Sequence, residues 1–488
     1  MEKNQNSQPL AEALDGFIAG EPAYFCIPGH RFSNGIPDGL KKRFGEGAFK
    51  YDLTEANGLD DLHAASGAIK EAQDLAAQLY SADRTWFLVN GTTCGNEALM
   101  LAAARENEEV IVARNVHKSV ISGLVLSGAK PVWILPETDP GFGFSTTVSP
   151  DKLKKTIEQH RGAKAVFIVS PTYYGVNSDI GALAEICHEN NIPLIVDEAH
   201  GAHLYFNERF PKGALGLGAD AVVMSTHKTL NSMTQSSMLH IKGSRIDERR
   251  IDAALKMTMS SSPSYVLMTS LDAARAQMAE CGHEILQSAF GLSMKLRQEL
   301  SSISGIEVFG GSDAGSLLFN RIDMSRVVFS GVRLGLSGYE LSDIFFDKYS
   351  VALEMADGIC CVAVVTGANK RSETDRLVNA LRDISSEYAD KAGKNDKIKY
   401  KAGPGVLPKM KLTPREAFFA EYEMIKPEKA LGRISAQSVS IYPPGIPAIN
   451  AGEVIDENVL SVIGYCRENG VKVHTDTGEG IGYIKVVK

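Results

Sequence analysis

Short apolar runs alternate with amphipathic stretches along the first half of the chain. Six such runs predict buried strands, at 85–89, 110–113, 131–135, 165–169, 193–196 and 221–224. The segments between them carry apolar residues at helical spacing, as 180–190 does, and 66–83 shows the same spacing ahead of the first run. Continuously apolar strands separated by helices predict a mostly parallel sheet that is covered on both faces.

The pattern changes in the second half of the chain. A long helical stretch, 264–300, leads out of the predicted sheet. After it come strand-like segments and a closing helix: GIEVFG (305–310), GSLLFNRI (315–322), VALEMA (351–356), ICCVAVVTG (359–367) and the helical 372–390. These elements predict a small α+β domain.

The chain divides into five predicted parts. They are an N-terminal arm with loops (1–65), a large sheet domain (66–300), the small α+β domain (301–388), a linker (389–411) and a C-terminal domain (412–488). The linker is predicted because 389–405 is polar and lysine-rich and ends in Gly-Pro-Gly. The predicted fold class is therefore α/β, with smaller α+β domains towards the C-terminus.

Composition and charge narrow the class of protein. A chain of 488 residues is too long for one ordinary core, and 44% hydrophobic with 23% charged residues is typical of a soluble globular protein. No run reaches the roughly eighteen apolar residues of a membrane helix, and the N-terminus lacks the apolar run of a secretory signal. Seven scattered cysteines suit a reducing compartment, so we predict a cytoplasmic protein. The net charge of −8 argues against nucleic-acid binding.

Ligands of parallel sheets bind beyond the carboxyl ends of the strands, so the residues directly after each run are the candidates for chemistry. STHKT (225–229) follows the last run and contains Lys228. A lysine that is desolvated at a strand end has a lowered pKa and can act as an amine nucleophile for a Schiff base. The alternative is a solvated lysine that caps the strand.

DEAHGAH (197–203) follows the fifth run. Asp197 at this strand end can hold a proton on the ring nitrogen of a pyridine cofactor through a charge-assisted hydrogen bond. Two alternatives stay open, a helix N-cap and a metal site that includes His200 and His203. The zinc-protease pattern HExxH is absent and no cysteine pair lies near, so we predict no metal.

NGTTCGNEAL (90–99) follows the first run and opens a predicted helix. A glycine turn with two hydroxyls at a helix start forms an anion cradle, because unpaired N–H groups point at the ligand. The alternative is that Thr92 or Thr93 is only a helix cap.

His117, after the second run, can lie flat over a cofactor ring, although a lone histidine is more often a surface or core residue. Cradle, histidine, acid and lysine each follow a separate strand of one predicted sheet, and this combination is much more specific than any single motif.

Beyond these motifs, four stretches resemble the bacterial Orn/Lys/Arg decarboxylase family, a group of fold-type I enzymes that bind pyridoxal 5′-phosphate (PLP). They are IPGHR (27–31), LDDLH (59–63) with SGAIKEAQ (66–73), LTPREAFFA (412–420), and YPPGIP (442–447) followed by AGE (451–453). The resemblance spans essentially the whole chain. It implies an aspartate-aminotransferase-like large domain with PLP as the cofactor.

The resemblance also implies residue roles. Lys228 would carry PLP as a Schiff base, Asp197 would bind the ring nitrogen and His117 would stack on the ring. The remaining implied cofactor contacts are Gly91, Thr92, Thr93, His200, Ser225 and His227. The chain lacks the wing domain that begins the large members of the family, and it has Gln437 and Ile441 where the family commonly has Glu and Pro.

The implied reaction is α-decarboxylation of arginine, lysine or ornithine. The distal cation of such a substrate needs an acidic partner, and Glu453 beside YPPGIP is the candidate. The rival is another fold-type I activity, such as an aminotransferase or a lyase. An aminotransferase normally binds the substrate carboxylate with an arginine of its small domain, and Arg321, Arg326 and Arg333 lie in that region. A silent regulatory homologue is the third hypothesis, although it would be expected to lose Lys228 or Asp197.

A homodimer or a multiple of it, with active sites shared between chains, is also expected. Fold-type I resemblance implies this arrangement. In addition, IPGHR and LDDLH lie in loop-like stretches and carry charged and imidazole groups without an evident local partner. The alternative is that these residues form internal turns of their own chain.

Overall fold

The computed structural model describes residues 4–310, 322–391, 406–441, 446–468, 471, 473–475 and 481–488. In these residues the helices are α1 (Pro9–Ala19), α2 (Asp38–Lys50), α3 (Ala68–Tyr80), α4 (Gly91–Ala103), α5 (Lys118–Ser127), α6 (Pro150–Gln159), α7 (Ile180–Glu189), α8 (Thr226–Thr229), α9 (Glu248–Thr258), α10 (Tyr265–Ser301), α11 (Gly338–Tyr349), α12 (Arg371–Glu387), α13 (Pro414–Phe419) and α14 (Glu457–Glu468). The strands are β1 (Arg84–Leu88), β2 (Glu109–Ala113), β3 (Lys130–Ile134), β4 (Val166–Val169), β5 (Leu194–Asp197), β6 (Ala221–Met224), β7 (Ser237–Ile241), β8 (Glu307–Val308), β9 (Arg326–Ser330), β10 (Met355–Ala356), β11 (Cys360–Val364), β12 (Tyr422–Ile425), β13 (Val439–Ile441), β14 (Ile446–Ile449), β15 (Val473–Thr475) and β16 (Ile484–Val487).

The large sheet has the strand order β1-β7-β6-β5-β4-β2-β3. The neighbours from β6 to β3 pair in parallel, while β7 pairs antiparallel with both β6 and β1. Every residue of β4, β5 and β6 is buried, which requires cover on both faces of the sheet. The prediction of a mostly parallel α/β sheet is confirmed, and each of the six predicted strands is present with ends that shift by about one residue.

The sequence pattern missed β7, because Ser237 and His240 interrupt its apolar run. Both side chains are buried in the fold. The His240 Nδ1 atom lies 2.7 Å from the Thr85 hydroxyl of β1, and the Ser237 hydroxyl lies 3.3 Å from that of Thr92. Hydrogen bonds to neighbouring elements therefore allow these polar residues inside a central strand.

Gly95 determines how closely α4 approaches the sheet. A Cβ atom at this position would come within 2.7 Å of a Leu88 methyl group and within 2.8 Å of a Val223 methyl group. Only glycine permits this separation without displacement of the sheet residues. The first turn of α4 consequently lies directly beyond the carboxyl end of β1.

The small domain contains a four-stranded antiparallel sheet, counted over the described residues, in the order β10-β11-β9-β8. The predicted helix at 372–390 corresponds to α12, and ICCVAVVTG contains β11. VALEMA forms a strand only over its last two residues, and GSLLFNRI lies outside the described residues except for Ile322. The strand β9 was missed because its apolar run is short and begins with a charged residue, Arg326.

The C-terminal part contains α13, α14 and the antiparallel pairings β12-β16 and β14-β13-β15. A separate apolar cluster runs from Ala430 to Val486, another from Leu296 to Ile384, and the largest follows the central sheet. Most of the predicted linker and residues 442–445 of YPPGIP lie outside the described residues, so the domain boundaries stay a prediction. None of the described helices is both long enough and apolar enough to span a bilayer.

The N-terminal motifs do have local partners, contrary to our expectation. His30 Nε2 lies 3.1 Å from the Asp52 carboxylate. The carboxylate of Asp60 accepts hydrogen bonds from the backbone N–H groups of Ser66, Gly67 and Ile69, and His63 Nε2 lies 2.8 Å from the Ser260 carbonyl oxygen. LDDLH therefore organises the start of α3 within its own chain.

Candidate active site

A cavity of about 320 Å³ opens at the carboxyl edge of the large sheet. It lies where β1, β2, β4, β5 and β6 end. Nine residues singled out from the sequence line it, namely Gly91, Thr92, Thr93, His117, Asp197, His200, Ser225, His227 and Lys228. The structure thus brings together every predicted cofactor contact.

Lys228 lies in the short helix α8 directly after β6. Burial lowers the pKa of its amine, the charge of Arg326 adds to this effect, and the charge of Asp197 acts against it. The Nζ atom lies 3.2 Å from His200 Nε2. Burial, with the nearby charges of Lys228 and Arg326, lowers the pKa of His200 well below its usual value. His200 is therefore neutral, and its Nε2 atom can accept a hydrogen bond from the lysine.

Asp197 ends β5 and its side chain is fully buried. Its Oδ2 atom accepts a hydrogen bond from Asn96 Nδ2 at 2.8 Å, and Oδ1 accepts one from the Ala199 N–H at 3.1 Å. Burial raises the pKa of Asp197, while Asn96, the charge of Lys228 and the Ala199 amide lower it. A carboxylate has about four acceptor positions, so each oxygen can accept a further hydrogen bond.

His117 precedes α5 and caps its first turn. Its Nδ1 atom accepts a hydrogen bond from the Ser119 N–H at 3.2 Å, so this nitrogen carries no proton. Burial and the charges of Lys228 and Lys118 lower the pKa of His117 to about 4. A neutral imidazole fixed at one nitrogen presents a flat ring to the cavity.

The opposite side of the cavity has the properties of an anion site. The first N–H groups of α4 lack an intrahelical partner, and the Asn90 side chain makes no cap hydrogen bond. The hydroxyl groups of Thr92 and Ser225 contact each other at this helix start. His227 Nδ1 lies 2.8 Å from the Ser236 carbonyl oxygen and donates to it, which orients the ring.

The sequence analysis did not single out Asn96 and Tyr173, which also line the cavity, or Ser119, which supports it. Asn96 donates to Ser119 Oγ at 2.9 Å as well as to Asp197, and so ties α4, α5 and β5 together. Tyr173 follows β4; its ring lies 4.5 Å from that of His200 and 5.6 Å from Lys228 Nζ. Position after a strand was a signal for Tyr173, since SPTYYG directly follows the fourth run. Asn96 lies inside α4, and Ser119 is the second residue of α5, so neither stands at the end of a strand.

The three small-domain arginines have different environments. Arg333 is exposed and pairs with Glu307, and Arg321 lies outside the described residues. Arg326 is fully buried, with its Nε atom 3.8 Å from the Asp323 carboxylate. In the part of the chain that the structure describes, its Nε and Nη2 atoms have no hydrogen-bond partner.

His200 and His203 of DEAHGAH each contact a different side chain. His203 Nε2 lies 3.1 Å from an Asp323 oxygen, and His200 faces Lys228. Among the described residues, no group of three or more His, Cys, Asp or Glu side chains is arranged to hold a metal ion.

Glu453 is not at the cavity. It is fully buried in the C-terminal part, where its two carboxylate oxygens accept hydrogen bonds from Arg114 at 2.5 and 2.8 Å. The carboxylate is therefore already paired within this chain. Gln437, the departure noted above, is also fully buried, and its amide atoms have no hydrogen-bond partner among the described residues.

Two family models match this chain. The Orn/Lys/Arg decarboxylase major domain matches residues 8–316, and the Orn/Lys/Arg decarboxylase C-terminal domain matches residues 397–472. The arginine decarboxylase of Bacillus subtilis (strain 168) is 34% identical over 485 residues, with 99% of each chain covered. A second protein of that organism, the uncharacterized protein YaaO, is 37% identical over 470 residues, with 96% of this chain and 95% of that protein covered.

The fold is similar to that of a solved decarboxylase. The crystal structure of the Francisella novicida lysine decarboxylase LdcF superimposes with a TM-score of 0.85 at 20% sequence identity, covering 99% of this chain and 81% of that chain. The predicted fold class is confirmed by this likeness together with the sheet described above.

Proposed function

This chain belongs to the Orn/Lys/Arg decarboxylase family, and from that membership we propose that it decarboxylates a basic L-amino acid with PLP as its cofactor. The observation that carries the proposal is the single cavity that unites Lys228, Asp197 and His117 with an anion site. The products would be CO₂ and the corresponding amine, a polyamine or its precursor.

The residues of the cavity fit PLP. Asp197 is a buried carboxylate with spare acceptor positions, and a protonated pyridine nitrogen supplies the cationic donor that such a group needs. The helix start at Gly91–Thr93, the hydroxyl of Ser225 and the ring of His227 would hold the phosphate. When bound, PLP supplies an electron sink for the bond that is broken at Cα.

The residues of the protein would bind and orient the cofactor and the substrate, and they would transfer protons. Lys228 would hold the cofactor covalently, and Asp197 would keep the proton on the ring nitrogen. His117 would pack on the ring of the cofactor and fix its plane. Neutral His200, at 3.2 Å from Lys228 Nζ, would orient that amine by a hydrogen bond, and the protonated amine would deliver a proton to Cα.

Glu354 is the acidic group that we propose for the distal cation of the substrate. It is exposed on the wall of a cavity of about 540 Å³ in the small domain. Its backbone N–H donates to the Val362 carbonyl, which fixes it beside β11. Its negative charge raises the pKa of both Lys228 and Arg326, against the larger lowering by burial. It therefore lies within electrostatic reach of the lysine, unlike Glu453, which is paired with Arg114.

We also propose that the protein is cytoplasmic. It would form a homodimer, or a multiple of it, in which each active site is built from two chains. The helix α2 buries none of its residues within this chain. Nearby, Phe25 is 89% exposed, Phe44 64% and Ile27 57%. Apolar residues that stand out in this way are typical of a surface that a second chain covers. The free state of all seven cysteines agrees with a reducing compartment.

Incubation of the purified protein with L-arginine, L-lysine and L-ornithine in turn tests the activity. We expect release of CO₂ together with agmatine, cadaverine or putrescine, and dependence on added PLP after its removal. Transfer of the amino group to a 2-oxo acid without CO₂ would favour the aminotransferase alternative. A protein that binds PLP and turns over none of the three amino acids would favour the regulatory one.

A further inference from the structure

The C-terminal part of the chain contacts the last turn of α5 and the segment just before its first turn. At the C-terminal end, Arg415 Nη1 of α13 donates to the Leu126 carbonyl at 2.8 Å. At the N-terminal end, Glu453 forms its two-pronged pair with Arg114, which follows β2 three positions before His117. The helix that His117 caps is thus fixed from outside the large domain.

The pair at the N-terminal end is rigid on the Glu453 side. Glu453 Oε2 also accepts the Asn450 N–H at 2.8 Å. Gly452 has a positive φ of 92°, and a Cβ atom there would overlap the Leu412 carbonyl oxygen. The turn that presents Glu453 is therefore packed directly against the residue before the α13 cap, where no side chain fits.

The pair is equally well fixed on the Arg114 side. The Arg114 N–H donates to the Ile134 carbonyl of β3 at 2.9 Å, and its guanidinium lies 4.9 Å from the centre of the Trp133 ring. The side chains of Arg114 and Glu453 are 4% and 0% exposed. A buried two-pronged Arg–carboxylate pair specifies orientation as well as contact.

The turn between Arg114 and His117 transmits this position. The Val116 N–H donates to the Ala113 carbonyl at 3.2 Å, which closes the turn, and the Asn115 amide reaches the Thr146 carbonyl at 3.4 Å. Only two residues of this closed turn separate Arg114 from His117, so the position of Arg114 is coupled to that of the imidazole through a short stretch of backbone.

We propose that Glu453 is a positioning residue that acts through Arg114, so that the C-terminal domain sets the plane of the His117 ring over the cofactor. This rests on the proposed function in that His117 is taken to pack on PLP. Glu453, the acidic residue of the AGE segment, would then position His117 instead of binding the substrate. A purely structural pair would stabilise the contact between the domains without influence on the site.

Three variants separate these roles. Glu453→Gln leaves the Arg114 charge buried and unpaired, and this variant is expected to fold poorly. The main variant is therefore Arg114→Gln/Glu453→Gln, which replaces the ion pair by two amides that can still hydrogen-bond. The matched control is Arg415→Ala, which removes the contact at the other end of α5, far from His117.

The first measurement is hydrogen exchange in the cofactor-free protein. We expect faster exchange at 114–120 in the double variant, and at 124–128 alone in Arg415→Ala. The second is the visible absorption band and circular dichroism of the bound cofactor, which should change in the double variant and not in the control. The third is turnover per bound PLP, where kcat should fall about 10- to 100-fold in the double variant with KM changed less than threefold, because misplacement of a group by about 1 Å has effects of this size.

A double variant with a wild-type cofactor spectrum and kcat, and only a lower melting temperature, would overturn the proposal. So would an equal loss of kcat in Arg415→Ala. If the wild-type protein decarboxylates none of the amino acids, the proposed activity fails, and the exchange and cofactor-spectrum measurements still decide whether Glu453 positions His117.

Discussion

The substitution Asp197→Asn keeps the shape of the buried side chain at the centre of the site and removes its charge. Two donors, Asn96 Nδ2 and the Ala199 N–H, point at the two carboxylate oxygens, at 2.8 and 3.1 Å. An asparagine has one oxygen and one NH₂ group, so one of these donors would face another donor. The variant therefore changes both the ring-nitrogen partner and a local hydrogen bond, and the two effects must be separated.

The electronic effect is expected to be the larger. Loss of a buried charge-assisted hydrogen bond to the ring nitrogen reduces transition-state stabilisation by about 4 kcal/mol, which is a loss in kcat of about 10³-fold. The donor–donor conflict costs about 1–3 kcal/mol of folding stability. Measurement of CO₂ release at saturating substrate, normalised to bound PLP, gives the first quantity, and thermal melting gives the second.

The double variant Asn96→Asp/Asp197→Asn is the matched control. It removes the donor–donor conflict and retains one carboxylate in the cluster, now on α4. If the role of Asp197 is electronic, this variant regains melting temperature while kcat stays about 10³-fold low. Activity of Asp197→Asn within a few-fold of wild type, or recovery of kcat in the double variant, would refute the electron-sink argument.

Three further predictions concern other parts of the site. The purified protein should be yellow, and borohydride should fix PLP on Lys228; a peptide map with the adduct on another lysine would contradict the assignment, while Lys228→Ala should bind PLP weakly without turnover. Glu354→Gln should raise KM for the basic amino acid about tenfold and leave kcat within threefold, because loss of one partly solvated ion pair costs about 1.4 kcal/mol of binding free energy. An unchanged KM would show that another group binds the distal cation. Subunit exchange between Lys228→Ala and His30→Ala chains should restore activity if each site is built from both chains, because one of the two sites in a heterodimer then has both wild-type residues. Under random pairing the recovered activity should approach a quarter of wild type. A fully active monomer in sedimentation would exclude shared sites.

The hydrophobic pattern was sufficient to predict the large sheet, and the motifs after its strands, with the family resemblance, predicted which residues meet at its edge. Continuous apolar runs with helices between them leave few alternatives to a parallel sheet, and the ends of its strands meet at one edge. Lys228, Asp197 and His117 could therefore be predicted to lie together although 111 residues separate the first from the last. Local pattern was sufficient because each residue stands at the end of its own strand or within four residues of it.

The partners of the buried polar groups could be identified only in the folded protein. Glu453 was predicted to bind substrate because it is acidic and lies near a family motif, but its charge is matched by Arg114, which lies 339 positions earlier in the chain. The strand β7 was missed for the same reason, since Ser237 and His240 become acceptable in a core only through hydrogen bonds to β1 and α4. A buried polar side chain is stable only when another element supplies its partner, and the identity of that element is a property of the folded chain, which no local sequence pattern records.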